Sequence, residues 1–225
     1  MASGNQKKPL VVHQIQVVVN MENTKKQHWE TVFTTKAENE VSWYQQKPET
    51  SLQLIQSCHL PKDAKIIDIG GGDSYLIDNL LDLGYTNLYL LDISENAIER
   101  AKKRLAERAK NVTFIVSDSL DFIAEQEFDL WHDRASFHFI TNENDVLKYK
   151  SNVLSALHSK GHFILGTFSE DGPKKCSGLD ITQYSVEKLE GVFEEDFELE
   201  NCFTEDHETP FDTIQNFIFA HYIKR

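Results

Sequence analysis

One stretch constrains the fold of this chain more than any other: Lys65-Ile66-Ile67-Asp68-Ile69-Gly70-Gly71-Gly72-Asp73-Ser74. It reads as a buried strand that ends in an acid, then a glycine turn, then the start of a helix. Gly70, Gly71 and Gly72 admit backbone conformations a Cβ would forbid and let a ligand lie against bare main chain. Asp73 or Ser74 can cap the helix, expected from Tyr75 to Leu83, where Gly84 stops it. A strand feeding a glycine loop and a helix N-terminus is the nucleotide-binding corner of a doubly wound α/β sheet.

The dinucleotide fingerprint G-x-G-x-x-G is only partly met. Gly70 and Gly72 supply its first two glycines, but Tyr75 stands where the third allows close helix–strand packing over a pyrophosphate. What remains, Asp68-x-Gly70-x-Gly72-x-Ser74, resembles motif I of the class I S-adenosylmethionine (SAM)-dependent methyltransferases. SAM carries no phosphate, and its amino group needs a carboxylate or carbonyl such as Asp68.

The chain has 225 residues, enough for one sizeable domain. Its formal net charge of −13 argues against a nucleic-acid partner. That charge is compatible with a small-molecule methyl acceptor or a basic protein segment. Cys58, Cys176 and Cys202 are odd in number and widely spaced, which suggests neither disulfides nor a zinc site and fits a cytoplasmic location. That cysteine spacing also gives no reason to expect a metal, and no apolar run reaches membrane-span length, so no membrane partner is expected.

Residues 1–27 read as an N-terminal extension, with Leu10 to Val19 as a flexible segment or edge strand. The main domain is expected over 28–225. Trp29 and Trp43, with Tyr44, are either a helix and its neighbours packed on the sheet or a lid whose rings face the sulfonium. Glu49 to Cys58 has helical spacing. Asn87 to Asp92 is the second strand, and Asp92 lies about 20 residues past Gly72, where an acid meets ribose hydroxyls; Ile93 follows it. Ala97 to Ala109 reads as a helix with a solvated face. After the third strand, Val112 to Val116, Asp118 and Ser119 match the position at which the family contacts the adenine amino group. As a turn residue Asp118 would be unremarkable.

Phe128 to Arg134 is the fourth strand, beside the first across the switch point where ligands bind. Arg134 either pairs with Asp133 or orients an anionic group: the SAM carboxylate or an acidic substrate. His132, Asp133 and His138 are the candidate general bases, and His132 is also expected near the methionine end of SAM. Gly161 is expected to end a turn after the helix from Asn144 to Leu157, with the fifth strand from His162 to Phe168. Phe168 to Thr182 is a polar loop. Phe197 to Thr204 and Ile214 to Ile223 are joined without a crossover helix, so they form an antiparallel pair.

The resemblance implies a seven-stranded, mostly parallel sheet in the order 3-2-1-4-5-7-6, the last strand antiparallel, with helices on both faces. It also implies SAM as methyl donor and S-adenosylhomocysteine as product. More narrowly, Asp129-Leu130-Trp131-His132-Asp133-Arg134-Ala135 resembles the strand-four segment of thiopurine methyltransferase and related small-molecule enzymes. The chain departs from them in a shorter segment between strands two and three and in its Cys176-Ser177-Gly178 loop. A second resemblance, to small lysine methyltransferases of the same fold, rests on layout. Asp133-Arg134-Ala135-Ser136 stands where those carry an acid–glycine type of motif. The expected function is methyl transfer to a small thiol, amine or carboxylate, the alternatives being lysine methylation or SAM binding without catalysis.

Overall fold

A computed structural model describes residues 24–72 and 74–225. The segment Leu10 to Val19 and Asp73 lie outside the described residues.

The first helix, α1, covers residues 24–35, followed by α2 (Glu49–Ser57). Strand β1 (Lys65–Ile69) leads into α3 (Leu76–Asp82), β2 (Asn87–Asp92), α4 (Glu95–Leu105) and β3 (Val112–Val116). Then come β4 (Phe128–Arg134), α5 (Glu143–Ala156) and β5 (Leu157–Phe168). A short pair, β6 (Lys175–Cys176) and β7 (Leu179–Asp180), precedes α6 (Val186–Phe193), β8 (Phe197–Glu208) and β9 (Ile214–Lys224). The main sheet runs β3-β2-β1-β4-β5-β9-β8, with β9 antiparallel to both neighbours. Numbering only its seven members, this is the expected order 3-2-1-4-5-7-6.

Alternation along the strands builds two cores. Ile66, Leu90, Leu130, Ile164 and Phe219 face α2, α3 and α4. Ile67, Leu91, Trp131, Phe163 and Ile218 face α5 and α6. The parallel strands are therefore buried on both sides, which explains their nearly continuous apolar runs. A third, smaller cluster joins Trp29, Val32, Phe33 and Val41 to Ala97 and packs against Ile93 and Phe139, above the carboxyl ends of the strands.

Four local expectations shift. The α4 helix stops at Leu105 because Ala106 turns to φ +50°, and a 3-10 segment continues to Asn111. The fifth strand starts at Leu157, directly from α5, and is irregular around Lys160 (φ +69°) before pairing resumes at His162. Within the polar loop, Ser177 and Gly178 both take positive φ and close the β6–β7 hairpin. The closing hairpin is longer than expected and extends to Glu208.

Candidate active site

The carboxyl ends of β1, β2, β3 and β4 open into one cleft, roofed by α1 and the segment around Trp43. It holds about 680 Å³ of empty space, part of it open to solvent, within the range of ligand sites. Each wall follows from a strand ending. From β1 comes Gly70, at φ +61° in the left-handed region; a Cβ there would sit 2.5 Å from the Ser136 Cβ. Gly72, at φ +50°, would bring a Cβ within 2.9 Å of Phe33 and 3.3 Å of Asp92 Oδ2. The glycine loop is thus a cradle that side chains would fill.

From β2 come Asp92 and Ile93. Asp92 Oδ1 accepts the Ser94 amide at 2.8 Å, and Ser94 Oγ accepts the Ala97 amide, capping α4. The acid expected at the ribose and the cap are therefore adjacent in one turn. From β3 come Ser117, Asp118 and Ser119. Asp118 Oδ1 accepts the Leu120 amide at 3.0 Å, while Oδ2 accepts from Lys25 Nζ at 2.9 Å. From β4 comes Arg134, whose Nη1 donates to the Trp43 carbonyl at 3.0 Å and whose guanidinium lies 5.2 Å from the Phe217 ring centroid. Burial holds its pKa down to about 10, against the raising influence of Glu205 and Asp68. No described carboxylate comes within ion-pair distance of it. The next residue, Ala135, is held at φ +68°, an outlier at the edge of the site that turns Ser136 over Gly70.

The roof is aromatic. Trp29 packs edge-on against Trp43 (5.9 Å between centroids) and Phe139 (5.0 Å). Its helix is docked through Glu30, which accepts from Ser94 Oγ and from the Glu95 and Asn96 amides. Burial works against the charge on Glu30, but those backbone and side-chain donors outweigh it and lower the pKa. Arg100 donates to the Phe33 and Lys36 carbonyls at the far end of α1. The α4 face expected to be merely solvated is therefore what anchors the roof.

Of the residues singled out in the sequence, Trp29, Trp43, Gly70, Asp92, Ile93, Asp118, Ser119 and Arg134 share this cleft. Tyr44 lies in a smaller adjoining recess with Trp43 and Arg134, edge-on to Tyr75. Asp68, Gly71 and Gly72 sit in or just beneath the glycine loop at its edge, whereas His132, Asp133 and His138 are set back from it. Asp133 and Arg134, neighbours on a strand, point to opposite faces, so they form no ion pair. Asp133 is fully buried and accepts four hydrogen bonds, from the Ser136 amide and Oγ, the Phe137 amide and Tyr149 Oη. Burial raises its pKa despite those donors. His138 is fully buried, stacked on Phe168 at 4.2 Å, and burial followed by the charge of Arg134 lowers its pKa to about 3.

His132 is buried beneath the loop. Its Nδ1 is 2.7 Å from Asp68 Oδ1 and its Nε2 is 2.9 Å from Ser51 Oγ. Asp68 Oδ2 is buried without a described partner, and a Cβ on Gly71 would fall 2.5 Å from it. Sequence reasoning missed Lys25 and Phe33, which come from the remote α1, and Phe139 and Ile140, which follow Arg134 by five and six positions at a short 3-10 turn. Ser117 and Ser136 were within reach, since Ser117 adjoins Asp118 and Ser136 lies two residues past Arg134.

The fold is a doubly wound α/β sheet with a cleft at the carboxyl ends of its strands, and the comparisons agree with it. Residues 60–207, well over half of the chain, match the family described as "Methyltransferase domain", and the chain belongs to that family. A solved SAM-dependent methyltransferase from Anabaena variabilis superposes with a TM-score of 0.70 at 16% identity, over 91% of this chain and 95% of that one. The N-methyltransferase NodS from Bradyrhizobium japonicum, in complex with S-adenosyl-l-homocysteine, gives 0.67 at 14% identity over 87% and 97%. Among curated proteins, the mouse (Mus musculus) eEF1A lysine and N-terminal methyltransferase is 30% identical over 125 residues, 53% of this chain but only 17% of that protein. Human (Homo sapiens) EEF1A lysine methyltransferase 2 is 24% identical over 189 residues, 77% of this chain and 74% of its own length. No helix among the described residues is long and apolar enough to cross a membrane.

Proposed function

We propose that this methyltransferase acts on a small nucleophile, a thiol, amine or carboxylate. The observation that carries this is the roof. The helix α1, fastened by Glu30 and by the Lys25–Asp118 ion pair, lies across the cleft and leaves a bounded, aromatic chamber. Such a chamber suits a compact acceptor better than a lysine presented on a folded partner. The likeness of residues 129–135 to the thiopurine methyltransferase segment supports the same reading.

The residues fit SAM by shape and chemistry. The glycine cradle accepts close backbone approach. Asp92 would accept from both ribose hydroxyls, and Asp118 with Ser119 would meet the adenine amino group. The open oxygen of Asp68, oriented by His132, would face the methionine amino group, and Arg134 its carboxylate. Trp29, Trp43 and Tyr44 would turn aromatic faces toward the cationic end. SAM supplies an electrophilic methyl group. The chain's part is to hold the acceptor in line with that methyl and to exclude water, and positioning of this kind is worth up to about 7–11 kcal/mol. Because His132, Asp133 and His138 lie off the cleft, we assign the transfer no protein base, and the acceptor would enter already deprotonated.

Lysine methylation is the second reading. The functions named for the curated relatives and the net charge of −13, which favours a basic target, support it. Incubating cell lysate with the enzyme and radiolabelled SAM separates the two. Label in the small-molecule fraction supports the first reading, and label in a protein band overturns it.

A further inference from the structure

On the α2 side of the sheet, toward the opposite end of the strands from the cleft, three soft ligand atoms converge. Cys58 is the C-cap residue of α2. His162 and His221 lie on the antiparallel neighbours β5 and β9, where His221 pairs with Ile164, so the two rings are diagonal neighbours on one face. His162 Nδ1 and His221 Nε2 are 2.9 Å apart, and Cys58 Sγ is 3.6 Å from His221 Nε2. All three ligand atoms lie within 4.8 Å of one another. We propose that Cys58, His162 and His221 form a zinc-binding site separate from the methyl-transfer cleft.

The spacing suits the ion. Zinc bonds of about 2.0–2.1 Å to nitrogen and 2.3 Å to sulfur, arranged tetrahedrally, place ligand atoms about 3.3–3.6 Å apart. Small shifts of two side chains meet that requirement. Three protein ligands leave a fourth position for water, and the half-buried Cys58 and His162 leave a way in. The donor set, one thiolate and two imidazoles, is of the borderline-soft kind that zinc prefers over magnesium or calcium.

The metal-free arrangement is also an awkward one to hold for packing alone. Two imidazole nitrogens facing each other at 2.9 Å need a proton between them, while the Cys58 thiol donates to the Leu54 carbonyl. On binding, the Cys58 S–H bond breaks, its proton leaves to solvent and sulfur bonds to zinc. The proton between the rings moves to the outer nitrogen of one imidazole, so the net release is one proton per zinc. His162 lies near the imidazole of His158 as well as the acids Glu200 and Asp129, and burial outweighs all three in its surroundings. Glu200 is the bulged residue of β8 opposite His221. His162 precedes Gly166, the partner of Arg134, by four positions. At 3.3 Å per residue that is about 13 Å, so a metal here takes no part in methyl transfer.

The test uses the full chain, freed of metal with chelator, then titrated with Zn²⁺ and separately with Co²⁺. The expected result is about one equivalent of zinc retained on dialysis and a thiolate-to-cobalt charge-transfer band. Cys58→Ser should abolish the band, and His221→Gln should weaken zinc by more than roughly 100-fold, since loss of even a supporting partner costs 10–100-fold. Cys202→Ser should change neither. SAM affinity, measured on each variant, reports folding. In the unsubstituted protein, zinc at ten times its Kd should slow alkylation of Cys58 about tenfold, a readout that needs no variant. Failure to retain zinc, a band that persists in Cys58→Ser, or alkylation indifferent to zinc would each overturn the site.

Discussion

Lys25 Nζ lies 2.9 Å from Asp118 Oδ2, so the first helix is fastened across the cleft by the very acid expected at its adenine end. The pair is partly exposed, at 31% and 12% for the two side chains. Such pairs are worth up to about 1 kcal/mol, so Lys25→Met should raise the Kd for SAM by no more than about fivefold. The rise should come through faster dissociation. Asp118→Ala loses both the closure and the adenine contact, and should cost more than roughly tenfold. Stopped-flow binding separates the two. Tighter binding by Lys25→Met would show instead that the lysine competes with adenine.

Asp92 has a double position, in the cleft where we propose it holds ribose and on the Ser94 amide that starts α4. Asp92→Asn keeps a carbonyl oxygen for that amide but removes the charge from the hydroxyl partner. A hydrogen bond to a charged group is worth about 1.5–3 kcal/mol, so titration calorimetry should show SAM affinity down by roughly 10- to 100-fold with the melting temperature little changed. Unchanged affinity would remove the ribose assignment.

The placement of these acids was legible because each stands at the end of an apolar run, and a buried parallel strand ends at the ligand side. The same rule of alternation shows why Asp133 and Arg134 part company: adjacent strand residues face opposite layers. What local sequence could not carry is assembly over distance. Lys25 and Phe33 reach the cleft only because α1 docks on α4 through Glu30, and Phe139 enters from the 3-10 turn after β4. Ala135 adopts a left-handed turn with no glycine to announce it. Cys58, His162 and His221 come from a helix end and two strands, and their meeting depends on β5–β9 register rather than on any motif spacing.

His138 makes a prediction about acid stability. Both ring nitrogens are buried without a described partner, and its pKa is lowered to about 3 by burial and then by Arg134. Between pH 6.5 and about 3 the unfolded chain takes up a proton at this residue while the native state does not. The neutral ring's stabilisation is complete above pH 6.5 and is lost as pH falls through that window, in total on the order of a few kcal/mol. His138→Phe preserves the stack on Phe168 and removes both the titration and the unpaired nitrogens. It should melt higher than the parent at pH 7, by a few degrees for each kcal/mol gained. The gap should widen at pH 5. A gap that narrows on acidification would show that the ring is protonated in the native state.

Ser51, His132 and Asp68 form a buried chain from α2 through β4 to β1, directly below the glycine loop. With His132 Nδ1 donating to the carboxylate, Nε2 of the neutral ring accepts from Ser51, and the acid is left with Oδ2 open toward the loop. His132→Ala would strand a buried carboxylate with neither oxygen paired, a loss of about 3–5 kcal/mol. Ser51→Ala removes only the outer hydrogen bond and should cost about 1–2 kcal/mol. Denaturant unfolding of the two variants should therefore rank them in that order. Because Ser51 reaches Asp68 only through the ring, the double variant should be no less stable than His132→Ala alone, within about 0.5 kcal/mol. Strict additivity would mean that the serine steadies α2 on its own account and that the orientation of Asp68 is set by β1 and β4 instead.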